Sequence, residues 1–245
     1  MVGEQTAEYN PFYYTTILQS NEPAIKMLEK RRKGMPPYIY LGQYTVFCLG
    51  AGGKQKSASF YFKRGYTDEL SAFYKENLPK YNLSSKNEWL YGLKKDDFYY
   101  LQSSDGKILA SCAIWNQQSY KQYVISGYDG IYKAFSHLPI GLLGFPTMPK
   151  AGTSANYASI AALIIPDENR DIARLFLKSV LSEAKKYDFI MLGLFENHPL
   201  LNIVQKLRHI KYKSRLYAVD YSGNESEHLI SGLDNRPIML EVGLL

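Results

Sequence analysis

The sequence predicts an α+β protein, a central mixed sheet flanked by helices. The first reason lies between Tyr157 and Leu194. Ala158 to Ile165 is an apolar run closed by Pro166. Ile172, Leu175, Phe176, Val180, Leu181 and Ala184 then recur at the 3.6-residue period of an amphipathic helix, and Phe189 to Leu194 is a second apolar run. Strand, helix and strand in that order form a βαβ unit, so the two strands should be parallel neighbours. The second reason is a hairpin, Phe98 to Gln102 and Lys107 to Trp115, joined by Ser103-Ser104-Asp105-Gly106, where Asp-Gly suits a turn needing positive φ. The third is size: 245 residues, 46% hydrophobic and 21% charged, fit one large domain or one domain plus a fragment.

The elements follow in order. Ser20 or Asn21 can cap a helix with Pro23 in its first turn, where a missing N–H costs nothing; Ala24, Met27 and Leu28 recur at helical spacing, and Lys30 to Lys33 with Gly34 end it. Tyr38 to Leu49 reads as a strand too apolar to stand exposed, so it should be paired or covered. Residues 51–57, Ala-Gly-Gly-Lys-Gln-Lys-Ser, read as a linker. Beyond it, Ser59 to Lys63 is a strand. Thr67 caps a helix carrying Leu70, Phe73, Tyr74 and Leu78 on one face, and Pro79 ends it. Gln122 to Ser126 is expected as a further strand, while Gly127 to Lys150 is rich in Gly and Pro. Asn197 is expected to cap a helix from Pro199 to Leu207, with strands near Tyr212–Tyr221 and Ile238–Leu244.

Composition limits the function classes. The net charge of +6 and pI of about 9.0 favour anionic partners, yet no basic block exceeds Lys30-Arg31-Arg32-Lys33. Cys48 and Cys112 are too few for a disulfide framework or a thiolate zinc site, and a reducing cytoplasm is the expected compartment. The four histidines lack zinc-ligand spacing. No apolar run approaches the roughly 20 residues of a membrane helix, and the N-terminus reads as no signal peptide. There is no Walker loop, no Gly-x-Gly-x-x-Gly after a strand and no Ser elbow.

The order of hairpin, apolar strand, long helix, parallel strand and Asn-led helix resembles the GNAT superfamily of N-acetyltransferases. The resemblance covers about residues 58–245 and is strongest from Tyr157 to Tyr221. It implies a GNAT-like acyl-CoA N-acyltransferase fold, acetyl-CoA as co-substrate and a loop that wraps the pyrophosphate with backbone N–H groups, a use of the helix N-terminus as an anion site. That loop is Gln/Arg-x-x-Gly-x-Gly/Ala in the family and Glu168-Asn169-Arg170-Asp171-Ile172-Ala173 here. Ala173 matches. Glu168 and Asp171 depart, and Arg170 and Arg174 could restore attraction to phosphate. By the same resemblance, pantetheine pairs with the strand end at Leu163, Ile164 and Ile165, and Asn197 contacts the cofactor. A backbone N–H near Leu163 would serve the thioester carbonyl. Val204 occupies the position of the family's usual proton-donating Tyr. Tyr157, Glu196 and His198 are the base candidates.

Asn21-Glu22-Pro23, followed by the strand Tyr38–Leu49, echoes Asn197-His198-Pro199, followed by Tyr212–Tyr221, at an offset of 176 residues (Asn21 to Asn197). Residues 1–50 therefore read as the tail of a first GNAT-like copy or as an added edge element, with residues 58–245 as the acyltransferase domain. The expected acceptor is a small-molecule or peptide amine, with neither membrane nor nucleic acid as partner, and the sequence is compatible with a homodimer. Two rival readings remain: a GNAT-like binding module without catalysis, and an aminoacyl-tRNA-dependent transferase of tandem GNAT-like fold.

Overall fold

A computed structural model describes residues 13–30, 32–52, 60–84, 92–166, 169–221 and 233–245. Most of the expected linker, Ser59 and the motif residue Glu168 lie outside these. Eight strands form one sheet in the order β1-β8-β2-β7-β6-β5-β4-β3. They are β1 (Tyr13–Leu18), β2 (Tyr38–Leu49), β3 (Phe60–Arg64), β4 (Phe98–Ser103), β5 (Ile108–Trp115), β6 (Tyr157–Ile164), β7 (Phe189–Phe195) and β8 (His209–Val219). Among the described strands β6 and β7 pair in parallel, and every other neighbouring pair is antiparallel. The sheet is mixed and helices cover both faces, as the sequence predicts.

Among the described residues five α-helices accompany it: α1 (Glu22–Glu29), α2 (Asp68–Asn77), α3 (Ile131–Phe135), α4 (Arg170–Glu183) and α5 (Leu201–Val204). The Asn169 side chain caps α4 by accepting from the amides of Asp171 and Ile172. The buried stripe of α4, including Leu175, Phe176 and Val180, packs on Ile160, Ile190 and Leu192 across one sheet face. On the opposite face α2, capped by Thr67, seats Leu70, Phe73 and Tyr74 against Phe98, Tyr100 and Trp115. A second cluster on that face holds Tyr44, Tyr157, Phe189, Met191 and Leu240.

β2 is no edge element. It enters the sheet interior and is hydrogen-bonded on both sides, to β7 and to β8. The edges are β1 and β3. The 176-residue offset that relates Asn21 to Asn197 also carries Tyr13–Leu18 onto Phe189–Leu194, which is β1 onto β7. The order β1-β8-β2-β7 is symmetric under exchange of those two units, with β8 and β2 paired antiparallel at the centre.

Three sequence expectations fail. Gln122 to Ser126 makes an isolated bridge, Val124 to Ser154, rather than a strand. Ile238 to Leu244 is not a strand either: it has one bridge, Asn82 to Ile238, and ends in a short 3-10 turn. The helix expected over Pro199–Leu207 shrinks to α5, and Asn197 does not cap it. Its Oδ1 accepts instead from the Ile238 amide at 3.4 Å, while the imidazole Nδ1 of His198 accepts from the Leu200 amide. β1, which the sequence reading passed over, forms because all of Tyr-Tyr-Thr-Thr-Ile-Leu but its last residue is β-branched or aromatic.

Gly193 on β7 is a packing requirement. A Cβ there would stand 1.8 Å from the Tyr44 hydroxyl oxygen, and Tyr44 is fully buried with its hydroxyl donating to the Leu240 carbonyl at 2.6 Å. Gly193→Ala should cost about 1–3 kcal/mol by overpacking. Gly127→Ala, whose new methyl would meet nothing within 4 Å, should stay within about 0.5 kcal/mol of the parent. Urea denaturation compares the two, and equal losses would contradict this packing.

Candidate active site

The site is made where hydrogen bonding fails. β6 and β7 pair only at Tyr157–Phe189, Ala158–Ile190 and Ser159–Met191, then part. Each strand continues along its outer neighbour: β5 holds β6 as far as Ile164, and β2 holds β7 as far as Phe195. β6 carries a bulge in the parted stretch. The register against β5 shifts between Ser111 and Ala113, and Ala162 takes a φ of +49° that non-glycine residues rarely adopt. The bulge is pinned from two sides. The Tyr74 hydroxyl donates to the Ala162 carbonyl at 2.9 Å and also contacts Ser111 Oγ at 2.8 Å; the Ala162 N–H donates to Glu241 Oε1 at 2.8 Å.

Comparison with solved structures identifies the architecture. A GCN5-related N-acetyltransferase from Kribbella flavida superposes with a TM-score of 0.51 over 89% of this chain and 71% of its own, at 8% sequence identity. One from Sphaerobacter thermophilus gives 0.49 over 84% of this chain and 59% of its own, at 11% identity. The chain has the GNAT fold. Neither a family model nor a curated protein sequence matches it.

Past Ser159 and Met191 the two strands leave an opening between them. Here the segment Ile238–Val242 lies across it. Leu163, Leu192, Gly193, His198, Leu240 and Glu241 help enclose a remaining cavity of about 20 Å³, room for about one water. The segment is held by the bond from its Ile238 amide to Asn197, by Tyr44 on the Leu240 carbonyl, and by Gln117 on the Gly243 carbonyl at 3.0 Å; Lys121 Nζ also donates to the Leu245 carbonyl. Met239 and Asn82 are joined through their backbones.

The expected site residues distribute unevenly. Leu163 lines the cleft, and Ile164 and Ile165 turn to opposite sides, Ile164 toward α2 and Ile165 toward α4. Asn169 spends its side chain on the helix cap. Arg170, Asp171 and Arg174 are exposed on the first turns of α4, and Ala173 is buried beneath them. Ile172, Asn169 and Pro166 border a larger cleft of about 560 Å³ whose rim carries Lys80, Lys107, Glu69 and Glu76.

The base candidates are also separated. The Tyr157 hydroxyl donates to the Lys121 carbonyl at the end where β6 and β7 are still paired, and burial lifts its pKa to about 12. Glu196 accepts from the Gln43 amide of β2 at 2.9 Å. Among the three, His198 alone lines the cleft cavity, stacked near Tyr81 at 5.9 Å, and burial lowers its pKa to about 4.

Sequence reasoning missed Ala162 and Glu241. A positive φ at an alanine leaves no trace in composition. Glu241 follows four residues, Pro-Ile-Met-Leu, that read as an ordinary terminal strand. The residue as a whole keeps some exposed surface, but its carboxyl group is enclosed, and desolvation raises its pKa to about 7 despite the Ala162 N–H, which acts the other way.

Glu241 and His198 should leave opposite marks on stability. Between pH 4.5 and 6.5 the folded protein retains the Glu241 proton that the unfolded chain releases, so stability falls as pH rises. His198 is uncharged when folded but protonated when unfolded over the same range, so stability rises with pH. Each slope is at most about 1.4 kcal/mol per pH unit, and the two oppose each other in the parent protein. Glu241→Gln should therefore add a rising component to the profile and His198→Asn a falling one. Urea unfolding at several pH values reads both, and unaltered profiles in both variants would contradict these environments.

Proposed function

We propose that the chain is an acyl-CoA-dependent N-acyltransferase, with an acetyl group as the transferred unit and a primary amine as the acceptor. The observation that carries this reading is the parting of β6 and β7 after three residue pairs, with the Ala162 N–H presented at a bulge in the parted strand. In the transfer an uncharged amine attacks the thioester carbonyl carbon. A C–N bond forms, the C–S bond breaks, the nitrogen loses a proton and the sulfur departs as a thiolate that takes one up. An amide fixed in advance opposite the carbonyl oxygen stabilises the charge that grows there. The Tyr74 bond to the Ala162 carbonyl supplies that fixation.

His198 is the base candidate that the cleft retains. It is uncharged at neutral pH and can accept a proton, weakly for a group whose pKa is about 4. Val204 is buried and offers no proton to the leaving sulfur. A thiol pKa of roughly 8.5 lets solvent complete that step. Arg170 and Arg174, exposed at the start of α4, are the cations to which a diphosphate is drawn.

A second reading, a GNAT-fold binding module without turnover, is favoured by the Glu241 carboxylate on the very amide that the carbonyl needs, and by Val204. Thiol release separates the two. With acetyl-CoA and a panel of amines, the first reading expects free thiol to accumulate and the second expects none. Binding is read separately: acetyl-CoA at 100 times its Kd should add about 2.7 kcal/mol of stability. The double variant Arg170→Glu, Arg174→Glu should bind acetyl-CoA at least about tenfold more weakly, some 1.4 kcal/mol, by titration calorimetry. No thermal shift at millimolar acetyl-CoA would overturn the acyl-CoA reading.

A further inference from the structure

We propose that Ile238–Val242 is an internal occupant of the acyl cleft, a strap that holds Glu241 on the Ala162 amide and withdraws when acyl-CoA enters. The inference rests on the acyl-CoA reading of the cleft and concerns how that site is regulated.

The strap satisfies the groups a thioester ligand would need. Its Glu241 carboxylate takes the Ala162 N–H, the donor poised for a carbonyl oxygen, and its Ile238 amide takes Asn197 Oδ1, the side chain expected to face the cofactor. Its apolar residues are buried against the cleft: Ile238, Met239, Leu240 and Val242 are each less than a tenth exposed. An acyl chain and this segment cannot share about 20 Å³ of remaining space. Occupation is therefore exclusive.

The strap is also attached in a way that permits release. Besides the local turn bonds from Leu244 and Leu245, the backbone bond of residues 238–242 to the described chain joins Met239 to Asn82, which lies in neither β6 nor β7. The contacts with the sheet run through side chains: Glu241 on Ala162 of β6 and Tyr44 of β2 on the Leu240 carbonyl. Withdrawal breaks these without unzipping a ladder. The parent sheet already ends its β6–β7 pairing at Ser159 and Met191, so it needs no further opening.

Electrostatics makes the hold conditional. The Glu241 carboxyl accepts from the Ala162 N–H of β6, shares its cavity with His198, and acts electrostatically on Tyr14 of β1, Tyr44 of β2, Tyr74 of α2 and Cys112 of β5. None is a cation, and among the described residues Glu241 has no ion-pair partner. Ionisation near neutral pH therefore places an uncompensated charge in the cleft, and the strap weakens as pH rises through that range.

The test measures acetyl-CoA binding and hydrogen exchange together, on the full chain, on Glu241→Ala and on Tyr44→Phe, each checked for folding by its thermal transition. Acetyl-CoA should accelerate amide exchange in residues 238–245 of the parent protein. Both variants should exchange faster there without ligand and bind acetyl-CoA about tenfold more tightly, because less of the protein is held in the occupied state. Equal affinities, with exchange in 238–245 unchanged on ligand addition, would overturn the strap and leave the acyl-CoA reading standing. Folded variants that bind no acetyl-CoA at all would overturn both.

Discussion

The structure depends on one interruption of backbone hydrogen bonding. Parallel strands that part after three pairs leave N–H and C=O groups on facing edges, and such groups cannot stay buried without partners. Everything around the cleft answers that demand. β2 and β5 keep the outer edges of β7 and β6 paired, so the opening does not spread. Tyr74 takes the carbonyl of Ala162, and Glu241 takes its amide. Gly193 admits the Tyr44 ring, whose hydroxyl reaches the segment lying across the gap. A cleft of this kind is filled by something, either a ligand or the chain itself.

Much of the frame was legible because its signals are periodic. The long stripe of α4, the paired apolar runs of β6 and β7 and the Asp-Gly hairpin each state their own structure, and together they gave the order of elements that resembles GNAT proteins. The site was less legible because it rests on departures from regularity. A bulge at an alanine, the early end of a strand pair and a carboxylate brought across from residue 241 depend on tertiary contacts that no local window contains. Asn197 illustrates the difference. Its spacing before Pro199 fits a helix cap, but a partner 41 residues away, the Ile238 amide, claims the side chain. Asn169, whose partners are two and three residues off, behaves as the local pattern says.

The N-terminal elements carry a related lesson. At the offset of 176 residues β1 falls on β7 and α1 spans α5, whereas β2 begins five residues into β8; the sheet order β1-β8-β2-β7 is symmetric under exchange of the two units. The sequence echo alone rested on an Asn-x-Pro pattern, which is short. In the sheet, β2 pairs over six residues with β7 and over most of its length with β8. An edge strand could be lost at modest cost, whereas removing β2 would divide the sheet and release the outer edge of β7, the wall of the cleft.

The two titratable groups of the cleft show why its present occupant is a conditional one. A buried imidazole with its pKa lowered is comfortable uncharged, and His198 adds no charge to the gap at neutral pH. A buried carboxyl with its pKa raised is comfortable only while protonated. The single N–H that Glu241 holds lowers its pKa by less than desolvation raises it. A thioester carbonyl in the same place is neutral in the ground state and gains charge only as the amine adds. The amide of Ala162 would then stabilise a transient charge, whereas toward Glu241 it meets a carboxyl that, among the described residues, has no ion-pair partner when it ionises. On the acyl-transfer reading proposed above, the same donor would favour an occupant whose charge appears during the reaction over one that must ionise in place.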